Sequence, residues 1–386
     1  MCPARHFLAR SRPRGGMSET PFERRTRDAQ ARLRERGASA LALFPSPNTY
    51  YLGGFEESPG ERHFFLFVPA SGDPVFVVPA LYGAQVRDAT WVADVRTWAD
   101  GDDPLAVVAD ALADLGVASG EVLLDPTMHA RFTLDLRDCL PACEFGLAGA
   151  VLDALRVRKD AAELDALRAA GRAADAAMRD VRELGADAVG MTETALARYV
   201  EERLVAHGGT GTSFEPIVAS GPNAANPHHG HGEREIRAGD PVTLDFGTRV
   251  EQYPSDQTRT VVFAGDPPEG YAEAHDAVVE AQRAAVDAVE PGVEAQAVDA
   301  AARDVLETAG YGDAFVHRTG HGVGLDVHEE PYIVAGNDRA LEAGMVFSVE
   351  PGVYVEGEWG VRVEDLVVVT ESGCERLNDT PRGWRV

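Results

Sequence analysis

Four carboxylic acids and one histidine in the C-terminal half of the chain stand in surroundings where such residues are unusual. The acids Asp245, Asp256, Glu350 and Glu364 lie in apolar or β-branched segments, and His321 lies between glycines. A carboxylate with apolar strand neighbours is costly to desolvate unless a positive charge meets it. Several such acids together therefore indicate a bound cation.

The spacing of the acids predicts two hairpins that would carry them. We expect strands at 242–248 and 258–263 to pair, which places Asp245 and Asp256 symmetrically about residues 250–251. Residues on opposite strands at such positions face each other across the ladder.

The second pair of acids has the same kind of symmetry. Strands are predicted at 347–355 and 360–369, and Glu350 and Glu364 are symmetric about Gly357, a typical turn residue. Each hairpin would then present two acids on one face.

Four carboxylates and one imidazole suit two oxygen-preferring divalent ions better than a thiolate zinc site. Mn²⁺ is our first choice, with Co²⁺, Fe²⁺ or Zn²⁺ as alternatives. The competing interpretation is four unrelated acids on solvated strand faces, because most Asp and Glu are surface residues. The flanking glycines and the symmetry of both hairpins favour the metal site.

The short phrases around these five residues, in this order, resemble the metallopeptidase family that includes Xaa-Pro dipeptidase (prolidase), aminopeptidase P and methionine aminopeptidase. The phrases occupy residues 244–247, 255–260, 320–324, 349–352 and 361–365. The resemblance covers nearly the whole chain, and the two-domain layout is similar to that of prolidase and aminopeptidase P. It implies the two-fold "pita-bread" fold and identifies all five residues as metal ligands.

The resemblance also implies roles within the centre. Asp245 would serve mainly one ion, His321 and Glu350 mainly the other, and Asp256 and Glu364 would bridge both. Two ions held in this way can activate a shared water molecule as the nucleophile. Glu350 would take the proton of that water and pass it to the leaving amine.

Two further histidines acquire roles only through the resemblance. His228 matches a histidine that steadies the tetrahedral intermediate, and His328 matches one that polarises the scissile carbonyl or the developing oxyanion. His228 also belongs to a cluster with His229 and His231, to which the resemblance assigns no role. Histidines spaced so closely can chelate, so a separate metal site remains an alternative there.

Arg362 lies two residues before Glu364, on the same predicted strand face. A guanidinium there can orient the acids or bind a substrate carboxylate.

The sequence departs from the family pattern at Gln257, where an apolar residue is usual, and at Gln252, where glycine is common. Both substitutions could alter the pocket.

Length and element order predict two domains. The chain has 386 residues, and we assign residues 1–16 to a loose or mis-started tail, 17–150 to an α/β N-terminal domain and 151–386 to an α+β catalytic domain. In the second domain, helices followed by a hairpin occur twice, which agrees with the pita-bread fold. Within the first domain, Cys139 and Cys143 are spaced as on one helix turn.

The overall charge excludes some classes of partner. The formal net charge is −27, and Lys159 is the single lysine. Such a charge opposes binding to nucleic acid or to anionic membranes, and no run of about 18 apolar residues predicts a transmembrane helix. The acidic excess favours a halophilic source, although codon bias in a G+C-rich genome explains the scarcity of lysine equally well.

We therefore expect a cytoplasmic two-metal peptidase, in a homodimer, that removes the residue preceding a proline from small peptides. Prolidase activity on Xaa-Pro dipeptides is the first choice, and aminopeptidase P activity on longer peptides is the second. A creatinase-like hydrolase of a small C–N compound, or a binding module, is the remaining alternative. Such homologues typically lose metal ligands, whereas this sequence keeps all five.

Overall fold

The computed structural model describes residues 19–386, so the predicted tail at 1–16 lies outside the described residues. The chain divides into two compact units between Leu155 and Arg156. The division lies inside a helix, Gly149–Arg156, and the boundary predicted between residues 150 and 151 falls in the first turn of the same helix.

Helices and strands alternate along the N-terminal unit, as predicted for an α/β domain. The helices are α1 (Pro21–Arg36), α2 (Pro47–Gly53), α3 (Gly83–Ala89), α4 (Pro104–Asp114), α5 (Ala130–Cys139) and α6 (Gly149–Arg156), and the strands are β1 (Ala38–Leu43), β2 (Phe65–Pro69), β3 (Val75–Pro79), β4 (Asp94–Trp98), β5 (Gly120–Leu124) and β6 (Cys143–Leu147). They form one mixed sheet in the order β4-β3-β2-β1-β5-β6. Strand β2 runs antiparallel to both of its neighbours, and the other pairs are parallel.

Local sequence signals account for the first element. Thr20 and Glu23 form a reciprocal capping box, and α1 ends at Gly37 in the left-handed conformation, where a side chain would be strained. Other predictions in this unit need correction. The sequence pattern predicts a strand at 91–95, but the strand lies three residues further on, in β4. Helix α2, whose N-cap is Ser46, is not predicted by the sequence pattern. Cys139 ends α5 and Cys143 begins β6, so the two cysteines do not share a helix turn.

The C-terminal unit contains long helices and two hairpins. Its helices are α7 (Ala161–Glu183), α8 (Glu193–Ala206), α9 (Tyr271–Asp287) and α10 (Ala295–Thr308), and its strands are β7 (Ile217–Ser220), β8 (Val242–Phe246), β9 (Arg249–Val250), β10 (Tyr253–Pro254), β11 (Gln257–Val261), β12 (Gly320–Gly322), β13 (Glu329–Ile333), β14 (Val346–Val349), β15 (Gly352–Val355), β16 (Trp359–Arg362), β17 (Asp365–Thr370) and β18 (Gly373–Arg376).

The two halves of this unit repeat one plan. Helices α7 and α8 pack on a three-stranded sheet of order β11-β8-β7, and α9 and α10 pack on a five-stranded sheet of order β13-β12-β14-β17-β18. Each half buries its own apolar cluster between helices and sheet. The predicted sequence of helices and then a hairpin, found twice, is confirmed, and so is the predicted fold class.

The first hairpin has a different register from the predicted one. Asp245 lies opposite Thr258, and a two-residue turn at Glu251 and Gln252 closes the hairpin. Both turn residues have positive φ, of 48° and 71°, as the tight hairpin turn requires. The centre is therefore one residue beyond the predicted 250–251. Asp245 and Asp256 are diagonal neighbours of this ladder instead of directly opposed residues.

The register of the second hairpin is as predicted. Val349 pairs with Asp365 and Gly352 with Arg362, so every pair is symmetric about Gly357, whose φ is +76°. The ladder is interrupted at Glu350 and Glu364. The strands predicted at 347–355 and 360–369 are consequently each divided into two pieces.

Within residues 19–386, no helix combines the length and apolar character that crossing a membrane requires.

Candidate active site

A cavity of about 410 Å³ in the C-terminal unit brings the predicted site residues together. Its lining includes every residue to which the sequence assigned a metal-binding or catalytic role, namely His228, Asp245, Asp256, His321, His328, Glu350, Arg362 and Glu364. The wall also contains residues 214–217, His317 and Arg318. Acids, imidazoles and two guanidinium groups therefore share one concave surface.

Three of the five predicted ligands lie beside strand ends. Asp256 directly precedes β11, Glu350 directly follows β14 and Glu364 lies between β16 and β17. Asp245 is paired on both sides within β8, and His321 lies in β12 at a shift of register. Ligand atoms of Asp256, His321 and Glu364 all lie within 4.8 Å of one another.

The remaining two acids adjoin this group. His321 Nε2 lies 3.3 Å from Glu350 Oε1 and 3.7 Å from Asp256 Oδ2. Asp245 Oδ1 and Glu364 Oε1 are buried and have no hydrogen-bond partner among residues 19–386. Buried carboxylate oxygens are normally satisfied, and unpartnered ones are explained when a cation or ordered water meets them.

Burial and mutual repulsion favour the protonated forms of Asp256, Glu350 and Glu364 when no cation is bound. Burial and then the charges of neighbouring acids raise the pKa of Asp256 and of Glu364 well above the ordinary values. Burial raises the pKa of Glu350 to about 7, although the charge of Arg362 opposes the shift. The donor set is thus oxygen-rich, convergent and short of positive charge, which fits divalent metal ions.

His321 presents its lone pair to the acids. Burial lowers its pKa to about 3, so the ring is neutral near pH 7. Nδ1 lies 3.2 Å from the carbonyl oxygen of Gly322, which can only accept, so Nδ1 carries the proton. Nε2, the atom that faces Glu350 and Asp256, is therefore free to bind a metal.

Arg362 is engaged on all sides of its guanidinium. Nη2 donates to Asp245 Oδ2 at 2.6 Å, Nε donates to Thr258 Oγ1 at 3.2 Å, and Nη1 donates to the hydroxyl of Tyr354 at 2.9 Å. Its side chain is only 4% exposed. Of the two roles predicted for Arg362, these contacts match the orientation of the acids and leave little capacity for a substrate carboxylate.

Sequence reasoning missed two residues that extend this network. His317 Nδ1 donates to the carbonyl of Arg318 at 2.8 Å, so Nε2 accepts from the Tyr354 hydroxyl at 2.9 Å, and that hydroxyl accepts from Arg362. Burial lowers the pKa of His317 to about 4, which keeps the ring neutral. A signal existed, because His317 precedes one predicted ligand by four residues and Tyr354 follows another by four.

The two catalytic histidine candidates differ in their supports. The His328 ring lies 4.2 Å, centroid to centroid, from that of His321, and His328 is exposed to the cavity. Burial and next the charge of Arg318 lower the pKa of His328. His228 is also exposed, in the loop between β7 and β8.

The buried carboxylate of Glu193, in the first turn of α8, organises that loop. It accepts hydrogen bonds from Ser220, Asn223 and His229 at 2.7–2.9 Å, and from the backbone of Gly232 at 3.2 Å. Despite its burial, these donors keep the pKa of Glu193 below its ordinary value. No pattern in the sequence predicts this role.

The alternative of a second metal site at the histidine cluster is not supported. His229 is bonded to Glu193, whereas His231 faces Thr194 at 3.2 Å and Glu215 at 3.7 Å. In the described part of the chain, the single group of three or more convergent ligand atoms is the one at Asp256, His321 and Glu364.

The two departures from the family pattern do not reach the cavity. Gln257 is fully buried, and its Nε2 donates to Asp175 at 2.6 Å and to Thr380 at 2.9 Å, away from the cavity lining. Gln252 lies in the hairpin turn at positive φ, the conformation that glycine adopts most easily. The expectation that either residue alters the pocket is therefore wrong for direct contact.

Comparisons with known proteins agree with this geometry. The model of metallopeptidase family M24 matches residues 165–371, and that of the creatinase/prolidase N-terminal domain matches residues 25–158. A Xaa-Pro dipeptidase of Lactobacillus helveticus is 36% identical over 364 residues, which cover 90% of this chain and 94% of the relative.

Solved structures are similar over nearly the full length. Dipeptidase PepE from Mycobacterium ulcerans is 45% identical, with a TM-score of 0.85 and coverage of 95% of this chain and 98% of that one. A prolidase from Thermococcus sibiricus is 37% identical, with a TM-score of 0.89 and coverage of 96% and 100%. Both the ligand-rich cavity and the two-unit architecture are thus accounted for: the chain belongs to metallopeptidase family M24.

Proposed function

We propose that this metallopeptidase hydrolyses dipeptides of the form Xaa-Pro at the bond that precedes proline. The observation that carries the proposal is the convergence of four acids and one neutral imidazole on a cavity whose mouth holds His228 and His328. Relatives of similar length that bear the names Xaa-Pro dipeptidase and prolidase support the same substrate class.

Divalent metal ions are the cofactors of a metallopeptidase, and the five convergent residues fit them. We assign Asp245, Asp256, His321, Glu350 and Glu364 as the ligands of two ions, with Mn²⁺ as the first choice. Bound there, such ions supply Lewis acidity that polarises a carbonyl and makes a water molecule acidic. The oxygen-rich donor set supports manganese over a metal that prefers sulfur.

The chain's own residues have complementary tasks. Glu350, whose Oε1 accepts from Ser348 Oγ at 3.1 Å, is held in place to take a proton from the attacking water and return it to the leaving nitrogen. His228 and His328 face the same cavity, where their N–H groups can donate to the oxyanion of the tetrahedral intermediate. Arg362 fixes Asp245 through its 2.6 Å contact.

A proline substrate suits this arrangement. The Xaa-Pro bond is a tertiary amide with no N–H, so a site that needs that donor handles it poorly. Here the charged and imidazole side chains that line the cavity can contact the carbonyl and the charged ends of a peptide, and they require no amide hydrogen.

Hydrolysis of three peptides tests the proposal. With Mn²⁺ present, kcat/KM for Leu-Pro should exceed that for Leu-Pro-Gly and for Leu-Ala. If Leu-Pro-Gly is preferred by tenfold or more, which is about 1.4 kcal/mol of transition-state stabilisation, aminopeptidase P activity replaces the proposal. If Leu-Ala is cleaved as well as Leu-Pro, the specificity for proline is wrong.

Three further properties are part of the proposal. A cytoplasmic location is supported by the cysteines of the described chain, Cys139, Cys143 and Cys374, which are unpaired.

A net charge of −27 supports adaptation to high salt, so activity and melting temperature should rise with KCl into the molar range. A flat response to KCl would leave codon bias as the explanation of the acidic composition.

A homodimer is proposed from the resemblance, and light scattering after gel filtration tests it.

A further inference from the structure

The cavity contains a second guanidinium that the mechanism does not use. The N–H groups of Arg362 are already hydrogen-bonded to Asp245, Thr258 and Tyr354. A substrate carboxylate therefore needs another partner. Arg318 lines the same cavity and is half-buried. The chain has 63 acidic residues against 36 lysines and arginines, so an arginine near a crowd of acids is expected to be paired.

Arg318 has no such pair. Among residues 19–386, no carboxylate forms an ion pair with its guanidinium and no group accepts a hydrogen bond from it. Its guanidinium instead lies over the ring of Tyr332, 4.5 Å from the ring centroid. Stacking of this kind holds the planar group in one orientation and leaves the N–H edges free for a ligand.

The backbone on both sides of Arg318 is firmly held. Thr319 donates through Oγ1 to Asp299 Oδ1 at 2.7 Å and through its N–H to the carbonyl of Ile333 at 3.0 Å. The carbonyl of His317 accepts from Arg303 Nη2 at 2.6 Å. The arginine is thus presented from a rigid segment anchored to α10 and β13, so little further ordering is needed to bind a ligand.

Distance along the chain places the guanidinium within reach of a short substrate. Arg318 is three residues from His321, so their Cα atoms are at most about 10 Å apart. An extended dipeptide spans about 7 Å. A substrate whose scissile bond lies beside His321 can therefore extend its far end to Arg318.

We propose that Arg318 binds the C-terminal carboxylate of the dipeptide and thereby restricts the enzyme to substrates of two residues. This inference rests on the proposed dipeptidase function. The guanidinium fork matches a carboxylate in a bidentate geometry, which an amide or an internal peptide group cannot reproduce. A longer peptide carries no charge at this place and leaves the arginine without its partner.

Comparison of Leu-Pro with leucyl-prolinamide, which lacks the carboxylate, tests the inference on the metal-loaded enzyme. For Arg318→Met, kcat/KM for Leu-Pro should fall about tenfold to hundredfold, because a charge-assisted hydrogen-bond pair is lost. The value for leucyl-prolinamide should change less than about threefold. Arg318→Lys should keep part of the preference, and Arg339→Met, at an exposed arginine outside the cavity, serves as the matched control.

Each result has a defined meaning. An unchanged ratio of Leu-Pro to leucyl-prolinamide in Arg318→Met, with an unaltered melting temperature, overturns the inference while dipeptidase activity stands. Glu-Pro is assayed as a third substrate. If Arg318→Met loses activity on Glu-Pro alone, Arg318 contacts the side chain of the first residue, and the inference is overturned. If wild-type enzyme cleaves neither Leu-Pro nor the amide, the proposed function itself fails.

Discussion

Glu364 and Asp365 are neighbours in the chain and nearly identical in burial, with exposures of 1% and 0%. Their electrostatic states are opposite. The pKa of Glu364 is raised well above its ordinary value, whereas that of Asp365 is lowered. The two carboxylates have different partners: Glu364 accepts from the Thr258 hydroxyl, whereas Asp365 accepts from Arg259 and Arg382.

Asp365 is compensated. Burial by itself would raise its pKa, but Arg259 Nη2 at 2.7 Å and Arg382 Nε at 2.8 Å outweigh that effect. Gln282 donates a further hydrogen bond at 2.9 Å. This group therefore has the donors that a buried carboxylate needs in order to remain charged, and its role is to join β11, β17 and the C-terminal segment.

Glu364 is not compensated. Burial and the charges of Glu350 and Asp245 raise its pKa, and the hydroxyl of Thr258 at 2.6 Å and the charge of Arg362 oppose this shift without outweighing it. Burial of an acid therefore does not by itself mark a functional site. The marker is a buried acid whose protein surroundings withhold the positive charge it needs.

The largest expected effect comes from breaking the compensated side. Asp365→Asn leaves Arg259 and Arg382 without a buried counter-charge, which costs about 3–5 kcal/mol. The melting temperature of the metal-free protein should fall by roughly 10 °C, as calorimetry would record. A change of under about 1 kcal/mol would show that the cluster does not bear the stability assigned to it.

The matched substitution one residue earlier should act in the reverse sense. Glu364→Gln removes a charge that the metal-free fold tolerates poorly, so the melting temperature without metal should stay the same or rise. Metal content after dialysis and hydrolysis of Leu-Pro should both collapse, because a proposed bridging ligand is lost. Near-normal turnover with two bound ions would refute the role assigned to Glu364.

The response of the metal-free protein to pH sharpens the contrast. The pKa of Glu350 in the fold is about 7, above its ordinary 4.5, so its contribution to stability is complete below pH 4.5 and is lost as pH rises to 7. Asp365 contributes oppositely: its stabilisation is present above its ordinary pKa of 3.8 and is lost in acid.

Melting temperatures in a chelating buffer should therefore decline from pH 5 to pH 7, and Glu350→Gln should flatten the decline. Added Mn²⁺ should reverse the slope, because ions displace the protons. A metal-free protein whose melting temperature rises across this range would contradict the raised pKa.

The smallest effects come from removing one neutral donor on each side. Gln282→Leu should lower stability by about 1–2 kcal/mol and leave metal affinity unchanged. Thr258→Val should leave stability almost unchanged and weaken metal affinity about tenfold, because partners of ligands tune them to that extent. Calorimetry measures stability, and competition with a metal indicator measures metal affinity. If Gln282→Leu weakened metal affinity and Thr258→Val lowered stability, the distinction between Asp365 and Glu364 would be wrong.

Sequence patterns were sufficient for the parts of this account that depend on local chemistry. Symmetry about Gly357 predicted the register of the second hairpin, and the clustering of acids in apolar segments predicted that Asp245, Asp256, Glu350 and Glu364 meet. The first hairpin shifted because its turn uses two residues with positive φ, neither of them glycine, so no turn signal marked the centre.

Long-range polar contacts could not be predicted. Glu193 acquires its surroundings only when distant segments fold together, and nothing in its immediate neighbours distinguishes it from a surface residue. Tyr354 and Arg318 lie near predicted ligands in the sequence, but the residues they contact, Arg362 and Tyr332, meet them only in the fold. Likewise, the sequence does not predict that the Asp365 carboxylate meets Arg259 and Arg382 while the Glu364 carboxylate does not.

The most direct test of the central claim is calorimetric titration of Mn²⁺ into the chelator-treated protein near pH 6.5, in two buffers of different ionisation enthalpy. We expect saturable binding of two ions per chain, with release of protons from the acid cluster, and loss of binding at one or both positions in Glu364→Gln. Absence of saturable binding, or an identical titration of the variant, would contradict the claim that this uncompensated cluster is a metal centre.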